Sequence, residues 1–192
     1  MGSESGTVSH FTNYAKPHAQ SQILGDVKIW EAARATASAP TFFDPIQITC
    51  NGFTETFIDG ALGHNNPINQ LWMEAVEEFG DPLESQLQCI VSLGTGRPAL
   101  KEIGTSMKSF GETLLAIAVQ TQRTAITFHK MHKSLADNGG YFRFNPPDLQ
   151  EVGLDESKKR GLIQQRCRDH GQDPDVEDAM RRFKTSATVG RS

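Results

Sequence analysis

The sequence predicts an α/β fold, and three observations carry that prediction. Stretches with apolar residues three and four apart alternate with short β-prone runs, Gly, Pro and Asn punctuate the joins, and no stretch repeats another. The order along the chain reads helix, strands, helix, strand, helix, strand, helix. Such alternation requires a sheet that is at least partly parallel.

The polar stretch 1–26 has Phe11 and Tyr14 as its aromatics and reads as a frayed start that closes at Gly25-Asp26. Asp26 is the expected N-cap of a helix over 27–37, where Ala32, Ala33, Ala35 and Ala37 surround Trp30 and Arg34. Small side chains permit close packing, so this helix is expected to be buried. Pro40 stops it, and Pro45 marks a second break. The β-prone runs 46–49 and 54–58 flank Asn51-Gly52, a tight-turn signature.

After Asp59-Gly60 and the loop 61–65, Asn66-Pro67 offers a cap and then a proline at the first helical position. The helix 68–79 has the clearest period, with Ile68, Leu71, Trp72, Ala75, Val76 and Phe79 on one face. Gly80 and Pro82 end it. A strand over 88–93 runs into Gly94-Thr-Gly96, and a long helix over 106–136 has Met107, Phe110, Leu114, Ala125, Phe128 and Leu135 among its apolar residues. Asn138-Gly139-Gly140 ends that helix, 141–144 is a strand broken by Pro146-Pro147, and helices over 156–169 and 175–185 complete the chain. The resulting organisation is a polar segment 1–26, a core 27–145 and C-terminal helices with a frayed tail over 146–192.

The 192 residues suit one ordinary domain or a piece of a larger protein, and 19 Lys+Arg against 23 Asp+Glu leave a net charge of −4. That balance lacks the cationic excess that phosphate backbones demand, so nucleic acid is excluded as a main partner. The apolar run 114–119 falls far short of the roughly 20 residues of a membrane span. The start has neither a basic n-region nor an apolar h-region, and Gly6 stands where a myristoylation site wants Ser or Thr. Cys50, Cys89 and Cys167 are odd in number and share no metal-ligand spacing; they read as small buried hydrophobes in a reduced, intracellular, cytoplasmic setting.

Asp59 is the residue that stands out for chemistry. It closes a predicted strand, where open α/β sheets place their ligands, and Gly60 behind it permits a turn that a larger residue would resist. A carboxylate held there can accept a proton from a nucleophile. The plainer alternative is an Asp that merely starts a turn.

The surroundings of Asp59 carry a resemblance. Asp59-Gly60-Ala61 and Gly63-His-Asn-Asn-Pro67 resemble the base motif of the patatin-like phospholipase family. The stretch 30–43, Trp-Glu-Ala-Ala-Arg-Ala-Thr-Ala-Ser-Ala-Pro-Thr-Phe-Phe, is similar to the family's Ala-rich helix and Ala-Pro turn. Ser92-Leu-Gly-Thr-Gly96 and Tyr141-Phe-Arg-Phe-Asn145 look like two later family strands, so residues 27–145 are covered in family order. Gly63-His-Asn-Asn-Pro-Ile68 is similar to the fungal branch.

The resemblance implies a three-layer α/β/α fold with a mixed, mainly parallel sheet, and a serine lipid acyl hydrolase with a Ser–Asp dyad. Asp59 matches the catalytic base within the motif Asp59, Gly60, Ala61. The serine of such enzymes sits in a Gly-x-Ser-x-Gly elbow beside a Gly-rich oxyanion loop. No serine in this sequence has glycine at both −2 and +2, and no Gly-Gly-Gly-x-Arg-Gly stretch is present. The expectation is therefore the C-terminal part of such a domain, its N-terminal half missing, inactive by itself because base and nucleophile act as a unit.

The implied partners are a lipid or acyl-ester substrate, transient contact with a membrane surface and flanking domains in a longer protein, with no cofactor and no metal. Phe42, Phe43 and Leu62 lie close enough in sequence to Asp59 to wall an acyl pocket. The alternative from another class is a non-catalytic binding module that keeps the remnant site. His64 reads as a loop-shaping residue, His129 and His132 as a solvated face that compensates the helix dipole, and Gly94-Thr-Gly96 as a poor dinucleotide loop because Ala99 replaces the third glycine. Arg34 within the Ala-rich helix is expected to hold a backbone carbonyl or a carboxylate near the site.

Overall fold

Asn51 and Gly52 turn the chain with φ of 53° and 82°, the left-handed pair that a two-residue hairpin needs. They join β1 (Ile46–Cys50) to β2 (Phe53–Phe57) as an antiparallel pair in which Ile46 faces Phe57 and Cys50 faces Phe53. These elements come from a computed structural model that describes residues 8–14, 26–40, 42–96, 110–149, 152 and 156–188. The chain forms two compact units, Met1–Asn65 and Asn66–Ser192.

In the first unit, α1 (Ile29–Thr36) precedes the hairpin. The expected cap is corrected. Lys28 holds the extended N-cap position, and its backbone N–H donates to Glu31 Oε2 at 2.8 Å. The helix begins three residues beyond Asp26, whose carboxylate instead accepts from Asn51 Nδ2 at 2.9 Å and so ties down the hairpin turn. Nor is α1 buried throughout. Only Ala35 is sealed, while Ile29 and Trp30 are 91% and 60% exposed, because so short a helix turns one narrow face to the hairpin. Ala35, Ile48 and Phe57 form the core. Phe11, from the segment read as frayed, packs its ring 5.2 Å from that of Phe57.

In the second unit, α3 (Ile68–Phe79) starts one residue later than expected, with Pro67 rather than Asn66 at the N-cap position; Asn66 is buried and its Oδ1 accepts the Ile68 N–H at 3.3 Å. Gly80, at φ 78°, ends it. The apolar stripe of α3 is only partly used. Ile68 is buried and Trp72 packs beside it, but Leu71 and Phe79 remain exposed. β3 (Ile90–Leu93) pairs in parallel with β4 (Tyr141–Phe144), Ile90 beside Tyr141 and Leu93 beside Phe144.

Between these strands run α4 (Phe110–Met131) and the short α5 (Lys133–Asp137). The expected helix start at 106 and Met107 lie outside the described residues. The single long helix is corrected at its other end. His132 takes φ −110° and ψ 42°, which breaks the run. Gly139, at φ 74°, then turns the chain, and the Gly140 N–H donates to Leu135 O at 2.8 Å. The core here is Ile68, Ile90, Phe128, Leu135 and Tyr141, with Trp72 edge-on to Phe128 at 5.8 Å.

His132 is not part of a solvated face. Its ring lies 4.1 Å from Trp72 and 4.4 Å from Phe128, and its Nδ1 is 3.8 Å from Glu84. α6 (Arg160–Gly171) and α7 (Pro174–Thr188) follow, with Asp173 Oδ1 accepting the Asp175 N–H at 3.0 Å. No helix among the described residues is long and apolar enough to cross a membrane. Cys50 and Cys89 are half-buried and Cys167 is exposed, so none of the three is the buried cysteine the sequence leads one to expect.

Candidate functional site

Asp59 follows β2 by two residues, and its place is set by backbone rather than by sheet position. Its N–H donates to Ser38 O at 3.0 Å, and its Oδ1 accepts the Ala61 N–H at 2.8 Å. The first bond ties the residue to the end of α1, and the second folds the carboxylate over its own turn. The side chain is half-buried rather than turned into bulk water. Asp59 does not close a parallel strand as expected: β2 pairs antiparallel with β1, and the rule for C-terminal ends of parallel strands does not apply to it.

Gly60 is also corrected. It adopts φ −71° and ψ −6°, a conformation open to any residue, and a Cβ there would meet nothing within 4 Å. Its carbonyl instead accepts the N–H groups of Gly63 at 3.2 Å and His64 at 2.8 Å. These bonds wind Asp59-Gly60-Ala61 into α2 (Ala61–His64). His64 is therefore a half-buried residue of one helical turn, and among the described residues no group of three or more His, Cys, Asp or Glu is placed to hold a metal.

Behind Asp59 stands a polar cluster that the sequence pointed to only at Arg34. Ser38 is completely buried, and its hydroxyl donates to Arg34 O at 2.8 Å while accepting from Arg34 Nη1 at 2.6 Å. Arg34 Nη2 donates to Asp44 O at 2.8 Å, and the guanidinium lies 5.3 Å from the centre of the Phe43 ring. Arg34 thus holds the expected backbone carbonyl, and Ser38 passes that constraint to Asp59. The hydroxyl of Ser38, fully engaged and sealed, is no substitute nucleophile. Of the residues expected to wall an acyl pocket, Phe42 is half-buried and Phe43 is 56% exposed under Arg34, while the side chain of Leu62 lies outside the described residues.

In the second unit the two later motif strands come together. Arg143 Nη1 donates to Ser92 Oγ at 2.8 Å, and the Gly96 N–H donates to Asn145 Oδ1 at 2.8 Å. Gly94 is required by contact, since a Cβ there would stand 2.0 Å from Asn145 Oδ1. A separate cleft of about 370 Å³ is lined by residues that include Pro147, Arg166 and His170 and contains none of the motif residues.

Residues 4–72 match the family model of the patatin-like phospholipases. Over 157 residues the chain is 33% identical to calcium-independent phospholipase A2-gamma of Mus musculus, covering 80% of this chain and 19% of that protein. The Homo sapiens protein of the same name is 34% identical over 158 residues, with the same shares. Patatin-like phospholipase 1 of Plasmodium falciparum (isolate NF54) is 31% identical over 157 residues, 71% of this chain and 22% of that protein. Residues 4–72 are thus similar to the patatin-like phospholipases and the chain is similar to the calcium-independent phospholipases A2, while it spans about a fifth of the length of these curated relatives.

Proposed function

We propose that this chain carries the base-bearing part of a serine lipid acyl hydrolase, with Asp59 as the general base of a Ser–Asp dyad. The observation that carries this reading is the fixed carboxylate. Asp59 is held at its backbone by Ser38 and at Oδ1 by Ala61, inside the Asp-Gly-Ala motif, and Oδ2 is left to meet a proton. In such a dyad the carboxylate takes the serine proton as the alcohol attacks the ester carbonyl, and it later activates the water that releases the acid. The reading requires a serine and oxyanion donors supplied from outside these residues, since no serine here has glycine at both −2 and +2. The parallel β3–β4 pair is read as part of a larger, mainly parallel three-layer sheet, the core 27–145 as the family domain, and the fungal branch as its place within the family.

The substrate class is a phospholipid or acylglycerol ester met at a membrane surface, which rests on the resemblance and on the names of the relatives. The test has two arms. The 192-residue polypeptide alone is expected to leave lipid and p-nitrophenyl esters at background, because a base without its nucleophile and oxyanion donors retains little of the rate enhancement. In a longer form that includes a Gly-x-Ser-x-Gly segment, Asp59→Asn is expected to lower kcat by at least about 10³ with little change in folding, as in other units of nucleophile and base. Ester turnover by the short chain that vanishes in Asp59→Ala, or full activity of Asp59→Asn in the longer form, overturns the reading.

A further inference from the structure

The inner face of the β3–β4 pair changes character along its length. Ile90 and Tyr141 stand side by side in register and belong to the apolar core. One step along, Ser92 stands beside Arg143, and beyond them Gly94 and Gly96 lie against Asn145. The face therefore turns polar toward the C-terminal ends of two parallel strands, the end at which such sheets present their ligands.

At that end the hydrogen bonding is incomplete. Arg143 Nη1 is matched by Ser92 Oγ at 2.8 Å, but Nε and Nη2 are closed to solvent and meet no acceptor among the described residues. Two residues earlier on the same face, Tyr141 is 8% exposed, and its hydroxyl lies near that of Ser92 but makes no hydrogen bond of good geometry among the described residues. Buried polar atoms are nearly always matched, and a desolvated cation without a counter-charge is costlier still. Burial draws Arg143 below its usual range and pushes the Tyr141 hydroxyl above its own, each shift partly offset by the charge of the other group.

The two unmatched guanidinium atoms share one edge. Nε–H and Nη2–H point the same way, and this fork takes both oxygens of a carboxylate or a phosphate. Gly94 allows its backbone to approach this edge closely, since a Cβ there would stand 2.7 Å from Nη2 and 2.0 Å from Asn145 Oδ1. We infer that the Nε–Nη2 edge of Arg143, with the Tyr141 hydroxyl on the same face, is a binding site for an oxyanion group, a phosphate or a carboxylate, at the C-terminal ends of β3 and β4. The site lies in the second unit and does not depend on the role of Asp59. Both atoms are closed to solvent, so entry of the group moves neighbouring atoms aside and gives slow exchange between free and bound forms.

The test uses the ¹⁵N-labelled 192-residue chain. The Arg143 Nε–H resonance is assigned by its loss in Arg143→Lys and followed during separate titrations with sodium phosphate and sodium hexanoate, with chloride holding the ionic strength constant. A saturable change with a midpoint on the order of millimolar is expected. The same titration followed at the Gly94 and Gly96 amides is expected to weaken at least tenfold in Arg143→Lys, which keeps the charge and loses the fork, and about threefold in Tyr141→Phe. A response to phosphate alone assigns the site to phosphate groups, and a response to hexanoate alone assigns it to carboxylates. No saturable response to either salt overturns the inference. So does an Nε–H resonance that is already far downfield and inert without added anion, the mark of a carboxylate supplied by the protein itself. If Arg143→Lys fails to fold, the Nε–H resonance is assigned by through-bond correlation, and the wild-type and Tyr141→Phe titrations decide.

Discussion

At Asp59 the backbone amide does as much as the carboxylate. Its bond to Ser38 O at 3.0 Å draws on a residue that is itself fixed by two contacts with Arg34, so the position of the proposed base is settled 21 to 25 residues upstream in the chain. The sequence marked Asp59 through its motif and Arg34 through its oddity within an Ala-rich helix. It did not mark Ser38, because one serine among small residues has no pattern until its partners fold around it. Tyr141 provides a titration at this same scale. It ionises near 10 when unfolded and higher in the fold, chiefly because burial disfavours the phenolate, with the Arg143 charge and the Ser92 hydroxyl partly offsetting this. Between those two values the unfolded chain has lost a proton that the folded chain keeps, so stability falls as pH rises. This contribution is intact below pH 10 and is lost as pH climbs through the folded value. The urea midpoint of the wild type is expected to drop more steeply than that of Tyr141→Phe between about pH 9.5 and 11.

Among the elements, those set by backbone chemistry were the most legible. Asn51-Gly52 gave the hairpin and Asp173-Pro174 the start of α7, because each demands a local conformation whatever surrounds it. Gly52 stands at φ 82° with open space around it, so its requirement is one of backbone conformation alone. Gly52→Ala is expected to cost about 1 kcal/mol, read as a lower urea midpoint with an unchanged slope. The elements that depended on a distant partner were less legible. Asp26 was free to leave the α1 N-terminus once Asn51 offered an amide, and the long helix broke at His132, whose ring packs against both Trp72 and Phe128. Local propensity favoured continuing that helix, and the aromatic contacts attend the break.

On the scale of the molecule, each compact unit has its own core and one of the two tryptophans. Trp30 sits 60% exposed on α1, and Trp72 packs at the edge of Phe128. Phe128 is fully buried and carries both Trp72 and His132 on its ring, so Phe128→Ala opens the centre of the second core. A loss of about 3–5 kcal/mol is expected, measured in a Trp30→Phe background where fluorescence reports Trp72 alone. An unchanged denaturation midpoint in that background would show that the ring does not anchor this core.

The sequence by itself determined the alternation of helices and strands, the turns and caps built from Gly, Pro, Asn and Asp, and the motif that contains Asp59. These are short-range properties, fixed by which φ and ψ each residue tolerates and by periods of two and 3.6. Only the tertiary structure decided which strands pair, that β2 runs antiparallel while β3 and β4 run parallel, that Ser38 holds Asp59, and that Arg143 presents an unmatched edge beside Gly94. Pairing and burial are sums over contacts far apart in the chain, and a residue's own neighbours in sequence contain almost no record of them.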